Sequence, residues 1–161
     1  MKVEVYGLEE LALTFETLGR TAKDVQKKAL YSGAGVMKDA LIKTIEALPE
    51  EHGFNKKDQL KNVVGSHDKA DLISHVGIAS FESSNGTWHT CISWDGYGSI
   101  PTKKYPNGRP MIMIARSINS GSSVRRKVPF IRNCANQHKQ EVIDAMKKAA
   151  DDEIKTLLGG N

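Results

Sequence analysis

The residues best suited to chemistry in this 161-residue chain are its five histidines, at positions 52, 67, 75, 89 and 138. His75 and His89 flank a hairpin signal, and two imidazoles on neighbouring strands can begin a metal site. A structural or catalytic zinc needs three or four ligands, and no nearby Cys, Asp or Glu supplies the rest. Half-buried strand histidines are the simpler reading. Gly33-Ala34-Gly35 lacks both the third glycine and the preceding strand of a dinucleotide fingerprint, so it reads as helix packing. Gly121-Ser122-Ser123 beside Arg125 lacks the Gly-Lys-Ser/Thr of a phosphate loop and reads as a plain loop. No serine stands in a Gly-x-Ser-x-Gly elbow, which leaves a hydrolytic triad without its anchor. Cys91 and Cys134 form no Cys-x-x-Cys pair and are expected as reduced, packed thiols. The expectation is a protein without enzymatic activity, catalytic residues, metal, cofactor or small-molecule substrate.

Charge is distributed less evenly. The stretch Ile114 to Cys134 passes from a short apolar segment through a Gly/Ser loop into a basic run, and then to Pro129-Phe130. Between positions 103 and 132 lie Lys103, Lys104, Arg109, Arg116, Arg125, Arg126, Lys127 and Arg132, with no Asp or Glu. A field of one sign marks a surface that meets something negative, either phosphate or an acidic protein subunit. Lys103, Lys104, Arg109, Arg125, Arg126, Lys127 and Arg132 are the expected interface cations, carried on a long loop around 96–109, a mobile basic arm around 119–128 and, for Arg132, the start of the final helix. Pro129, Phe130 and Ile131 are the expected structural anchor of the arm. Trp88, Trp94 and Tyr97 near these cations allow stacking on single-stranded nucleic acid, but tryptophans spaced by two on a strand more commonly serve a core.

The elements that would position these residues follow from periodicity. Hydrophobic content is 39% and charged content 26%, the balance of a globular chain, and 161 residues suit a single domain. No run approaches the ~20 apolar residues of a membrane span. The acidic N-terminus does not resemble a signal peptide, so residence in the cytoplasm is expected and the sequon at Asn85 has no role. Met1 to Tyr6 alternates like a strand; Leu8 to Leu18 spaces like a short helix ended by Gly19. A second helix is expected from Thr21 to about Leu48, stopped by Pro49, with Gly33 and Gly35 admitting a neighbouring backbone. Pro49 to Lys61 reads as a polar loop or a short turn of helix, with Asn62 to Val64 beginning a sheet. Asp71 to Phe81 alternates as a strand, Asn85-Gly86 turns the chain, and Thr87 to Asp95 returns. Pro110 to Ile118 reads as a short helix, and a long final helix begins at Pro129 and ends at Gly159-Gly160. The expected class is α+β: an antiparallel sheet packed against long N-terminal and C-terminal helices.

Four short motifs resemble a known family. Val5-Tyr6-Gly7-Leu8-Glu9-Glu10-Leu11 is similar to an opening V-x-G-hydrophobic-x-x-L, and a long helix with small residues at Gly33-Ala34-Gly35-Val36 follows. Leu60-Lys61-Asn62-Val63 is similar to a G-x-L-x-x-S-I segment. Val128-Pro129-Phe130-Ile131-Arg132 resembles a P-F-hydrophobic-R-P-A box that opens the last helix, with Asn133-Cys134-Ala135 in place of its Pro-Ala. The family is that of the head–tail joining or tail-completion (neck) proteins of long-tailed bacteriophages, typified by the gene-ten product of a lambdoid coliphage. The resemblance implies a structural role in virion assembly, as an oligomeric ring at the head–tail junction that touches other neck or tail proteins. The alternative is a small basic nucleic-acid-binding protein that uses the 103–132 segment.

Overall fold

The structure, a computed structural model, describes residues 8–51, 64–84, 87–123 and 125–159. Among them run ten elements: helix α1 (Leu8–Glu46), strands β1 (Glu50–Glu51) and β2 (Val64–Gly65), helix α2 (Ser66–His75), strands β3 (Val76–Ile78), β4 (Glu82–Ser84), β5 (Thr87–His89) and β6 (Ile92–Trp94), and helices α3 (Met111–Ser120) and α4 (Phe130–Leu158). The class is α+β, as the periodicity implies. α1 and α4 lie against each other, and the strands form small pairs on their flank. The extended reading of Met1 to Tyr6, the Leu60-Lys61-Asn62-Val63 motif and the Asn85-Gly86 turn itself fall outside the described residues.

α1 corrects the expected break at Gly19. The 39-residue helix continues through it. One interior glycine costs only about 1 kcal/mol relative to Ala. The good helix formers Leu18, Arg20, Ala22 and Lys23 around it keep propagation favourable. The stop comes where Pro49 requires it, because the residue before a proline is disfavoured in the α region. Lys69 of α2 donates to the Leu48 carbonyl at 3.0 Å and reaches Glu50 at 3.1 Å, fixing the helix exit.

α1 and α4 approach closely at Gly33. A Cβ there would collide with the Met146 side chain and lie 3.2 Å from Val142 Cγ1. Gly35, two residues on, faces open space, so only the first glycine serves the packing. Lys28 pairs with Glu153, and Ser32 donates to the Ala145 carbonyl at 3.3 Å across the same interface.

The second correction concerns residues 66–75. Asp71 to Phe81 reads as alternating, yet α2 occupies everything up to His75 and only Val76–Ile78 is strand. Asp68 and Leu72 are the buried residues of α2. Because one of these inward positions is charged, the apolar residues alone display no helical period. β3 then pairs antiparallel with β6 (Val76 opposite Trp94), and β4 with β5 (Ser84 opposite Thr87), the register of a two-residue hairpin. The expected return strand Thr87 to Asp95 is therefore two strands in different pairs. β1 and β2 form a further, parallel pair.

The core gathers Ile45, Val64, Leu72, Trp94, Met111, Ile118, Phe130 and Cys134. Phe130 is buried edge-on against Trp94, ring centroids 6.2 Å apart. Trp94 is core and donates its indole N–H to the Leu72 carbonyl at 3.0 Å. Trp88 is only half-buried, with Lys27 and Lys23 of α1 at 4.3 and 5.0 Å from its ring centre. Both thiols are free, but only Cys134 is packed; Cys91 is exposed, which corrects the expectation for that residue.

The two glycines of α1 should separate experimentally. Gly33→Val is expected to lower unfolding free energy by about 1–3 kcal/mol, the usual result of overpacking. Gly35→Ala should leave stability unchanged or raise it by up to about 1 kcal/mol. Urea unfolding followed by circular dichroism reads both, and equal effects would contradict the packing described.

Candidate interaction surface

The acid-free segment is organised by one carboxylate. Asp68, in the first turn of α2, accepts from Arg125 Nη2 at 2.8 Å on one oxygen and from Arg109 Nη2 at 3.1 Å on the other. The Asp68 and Arg125 side chains are only 9% and 8% exposed, whereas Arg109 is 38% exposed. One guanidinium is therefore desolvated and the other lies at the rim. Arg125 Nη1 is also buried and has no hydrogen-bond partner among the described residues. Such a donor makes its shell costly to disturb, because nothing else satisfies the charge if Asp68 is removed.

This arrangement corrects the expectation of a mobile basic arm at 119–128. Ser122 and Arg125 exchange backbone bonds at 2.8 and 3.3 Å, closing a tight turn. The Val128 N–H then returns to the Ile118 carbonyl at 2.9 Å. Gly121 adopts φ +81°, and a Cβ there would lie 3.1 Å from Lys127 N, so the turn needs glycine twice over. Asn119 at the end of α3 accepts the Ile131 N–H at 3.1 Å, occupying one of the open donors at the start of α4. The segment is a strap clasped to the core. Arg125, expected as an outward interface charge, is turned inward and holds the strap down.

The long loop 96–109 is pinned in the same way. At its neck Gly98 N–H donates to the Arg109 carbonyl at 2.8 Å and Met111 N–H to the Gly96 carbonyl at 3.1 Å. A Cβ on Gly108, at φ +91°, would collide with the Gly98 carbonyl. Asp71 receives the Ser99 N–H at 2.6 Å and its hydroxyl at 3.0 Å. Asp68 and Asp71 thus lie one helical turn apart on α2, one fixing both strap and loop, the other fixing the loop alone. Thr102 and Tyr105 close the tip with reciprocal backbone bonds at 2.9 and 3.0 Å.

With Arg125 inward and Arg109 half-turned to Asp68, the exposed cations are Lys103 and Lys104 on the loop tip, Arg116 on α3, Arg126 and Lys127 on the strap, and Arg132 on α4. Sequence reasoning missed what lies among them. α3 leaves Ile112 and Met113 48% and 49% exposed, and the loop exposes Tyr97 and Ile100. A signal existed: Met111-Ile112-Met113-Ile114 is apolar on every side of a short helix, more than one core can cover. Pro129 and Ile131 are half-buried beside Phe130.

The two histidines do not meet. His75 ends α2 and is bound through Nδ1 to the Asp71 carbonyl at 2.9 Å, while His89 on β5 faces Glu82 at 3.5 Å. No group of three metal-capable side chains occurs among the described residues. No helix there is long and apolar enough to cross a membrane. No family model, curated protein or solved structure matches this chain.

The clasp predicts an unequal response of its members. Asp68→Asn should cost about 3–5 kcal/mol, since it leaves a buried guanidinium uncompensated. Arg109→Ala, at the solvated rim, should cost no more than about 1 kcal/mol. Urea denaturation of the two variants tests this, and similar losses would show that burial does not rank them.

Proposed function

We propose that this chain is a structural virion-assembly protein of a tailed phage or prophage, acting without enzymatic activity at the head–tail junction or in tail completion, as an oligomer. One observation carries the reading beyond the sequence resemblance. Lys103 and Lys104 on the pinned loop and Arg116 on α3 face outward, and the same helix exposes Ile112 and Met113, a mixture suited to an acidic protein neighbour. Phosphate would use the cations but gain nothing from the apolar centre.

Nucleic-acid binding is the second reading, favoured by the absence of any acid between Asp95 and Glu141. It requires affinity for duplex or single-stranded DNA that falls steeply with salt, which fluorescence anisotropy measures.

Deleting the gene from the phage or prophage that encodes it is expected to leave full heads and finished tails unjoined, visible by negative-stain electron microscopy, and complementation in trans should restore joined particles. Normal infective particles without the protein would overturn the assembly reading.

A further inference from the structure

Strands β3 and β6 turn one face to the core and the other away from it. Val76 and Trp94, which stand opposite each other, are both buried. Side chains alternate along a strand, so Gly77, Ala79, Ser93 and Asp95 share the outward face. These four, with Ile78 and Trp94, line a hollow of about 150 Å³. Gly77 helps to keep it open, since a Cβ there would meet nothing within 4 Å. Drug-sized ligands and cofactors occupy sites of about 300–1,000 Å³, so this hollow suits a single side chain.

Its lining is lopsided. Gly77, Ile78, Ala79 and Trp94 are apolar, and no Lys or Arg is among the lining residues. Asp95 supplies the charge. It is exposed, and among the described residues its carboxylate has no hydrogen bond or ion pair. Only its backbone N–H is engaged, donating to the His75 carbonyl at 3.3 Å. The His75 imidazole is committed elsewhere, donating through Nδ1 to the Asp71 carbonyl at 2.9 Å. Asp68 and Asp71 on α2 are answered by arginines and by Ser99, so Asp95 differs from them in having its carboxylate left over.

An apolar trough with one unanswered carboxylate at its end is complementary to an apolar stem with an ammonium at its tip. Lysine has that form: it buries its methylenes along apolar surface while the charged head stays in water. Asp95 lies two residues along β6 from Ser93, about 7 Å at the strand rise, which matches the reach of a four-carbon stem. We infer that this hollow receives a lysine side chain of another protein, its stem over Gly77 and Ala79 and its ammonium on the Asp95 carboxylate. A free diamine carries a second charge that the apolar end cannot answer, so the chemistry favours lysine over a small polyamine. The inference stands independently of the assembly reading.

Amide chemical shifts of the full chain, followed while N-acetyl-lysine methylamide is titrated in, decide it. The Gly77, Ser93 and Asp95 amides should shift saturably. N-acetyl-norleucine methylamide, which keeps the stem and lacks the charge, should bind about two- to fivefold more weakly, the ratio an exposed ion pair supplies. In Asp95→Asn the two probes should bind equally, which assigns the difference to that carboxylate. Gly77→Val should abolish binding of both by filling the trough. Asp95 is exposed, so Asp95→Asn should keep the wild-type thermal midpoint, and the test holds even if the valine variant fails to fold. No saturable shift at these amides overturns the proposal, as does a lysine-to-norleucine ratio that survives Asp95→Asn. Binding of 1,4-diaminobutane as tight as that of the lysine probe would overturn the choice of lysine. Shifts of the same amides with protein concentration alone would make the donor a second copy and overturn the assignment to a different protein.

Discussion

The carboxylate of Asp68 is the point on which the described arrangement of this protein turns. It sits in the first turn of α2 and is shared between a buried and a half-exposed guanidinium. Each arginine belongs to a segment with no regular structure of its own, one to the loop before α3 and one to the strap after it. A single side chain therefore fixes both flanks of α3. Its neighbour Asp71 adds a second hold on the loop through Ser99. Desolvating a charged pair recovers little net stability compared with an apolar core. The effect of the cluster is instead geometric: a misplaced strap leaves a buried charge without its partner, so the correct placement is strongly preferred over near alternatives.

That constraint sorts the basic residues into two kinds. Arg125 and Arg109 spend their charge within the molecule, while Lys103, Lys104, Arg116, Arg126, Lys127 and Arg132 face outward. The net field of the segment survives because one carboxylate answers two of the eight cations. The clasp also leaves Ile112 and Met113 exposed on α3, whose far end is tied through Asn119 to the start of α4. The close approach of α1 and α4 at Gly33 sets the far end of α4 along α1. A surface of this kind is presented ready-formed, so a partner need not order a flexible arm before binding.

Much of this was legible in the residues. The α+β class, the long final helix opening at Pro129-Phe130, the short helix after Pro110 and the two-residue hairpin register all follow from periodicity and turn chemistry. So does the packing role of Gly33. What was not legible depends on tertiary pairing. α2 looks like a strand because its inward stripe includes Asp68, whose burial makes sense only once Arg125, fifty-seven residues away, is beside it. The strap looks like a free arm because Gly, Ser and Arg are also the residues of a solvated loop. Gly19 looks like a helix end because a local cost of about 1 kcal/mol is read without the propagation on either side that exceeds it. The outward Ile112 and Met113 were visible as an apolar run, but which members face the core depends on where α2 and the loop meet α3.

The central claim is that residues 119–128 form a clasped strap and not a mobile arm. Amide hydrogen exchange resolved to single residues tests it most directly. The Ser122, Arg125 and Val128 N–H groups, bonded to the Arg125, Ser122 and Ile118 carbonyls, should exchange more than about tenfold slower than in an unstructured peptide. In Asp68→Asn that protection should fall while the amides of α1 beside Gly33 keep theirs. Exchange of the three strap amides at the unstructured rate in the wild-type protein would contradict the account.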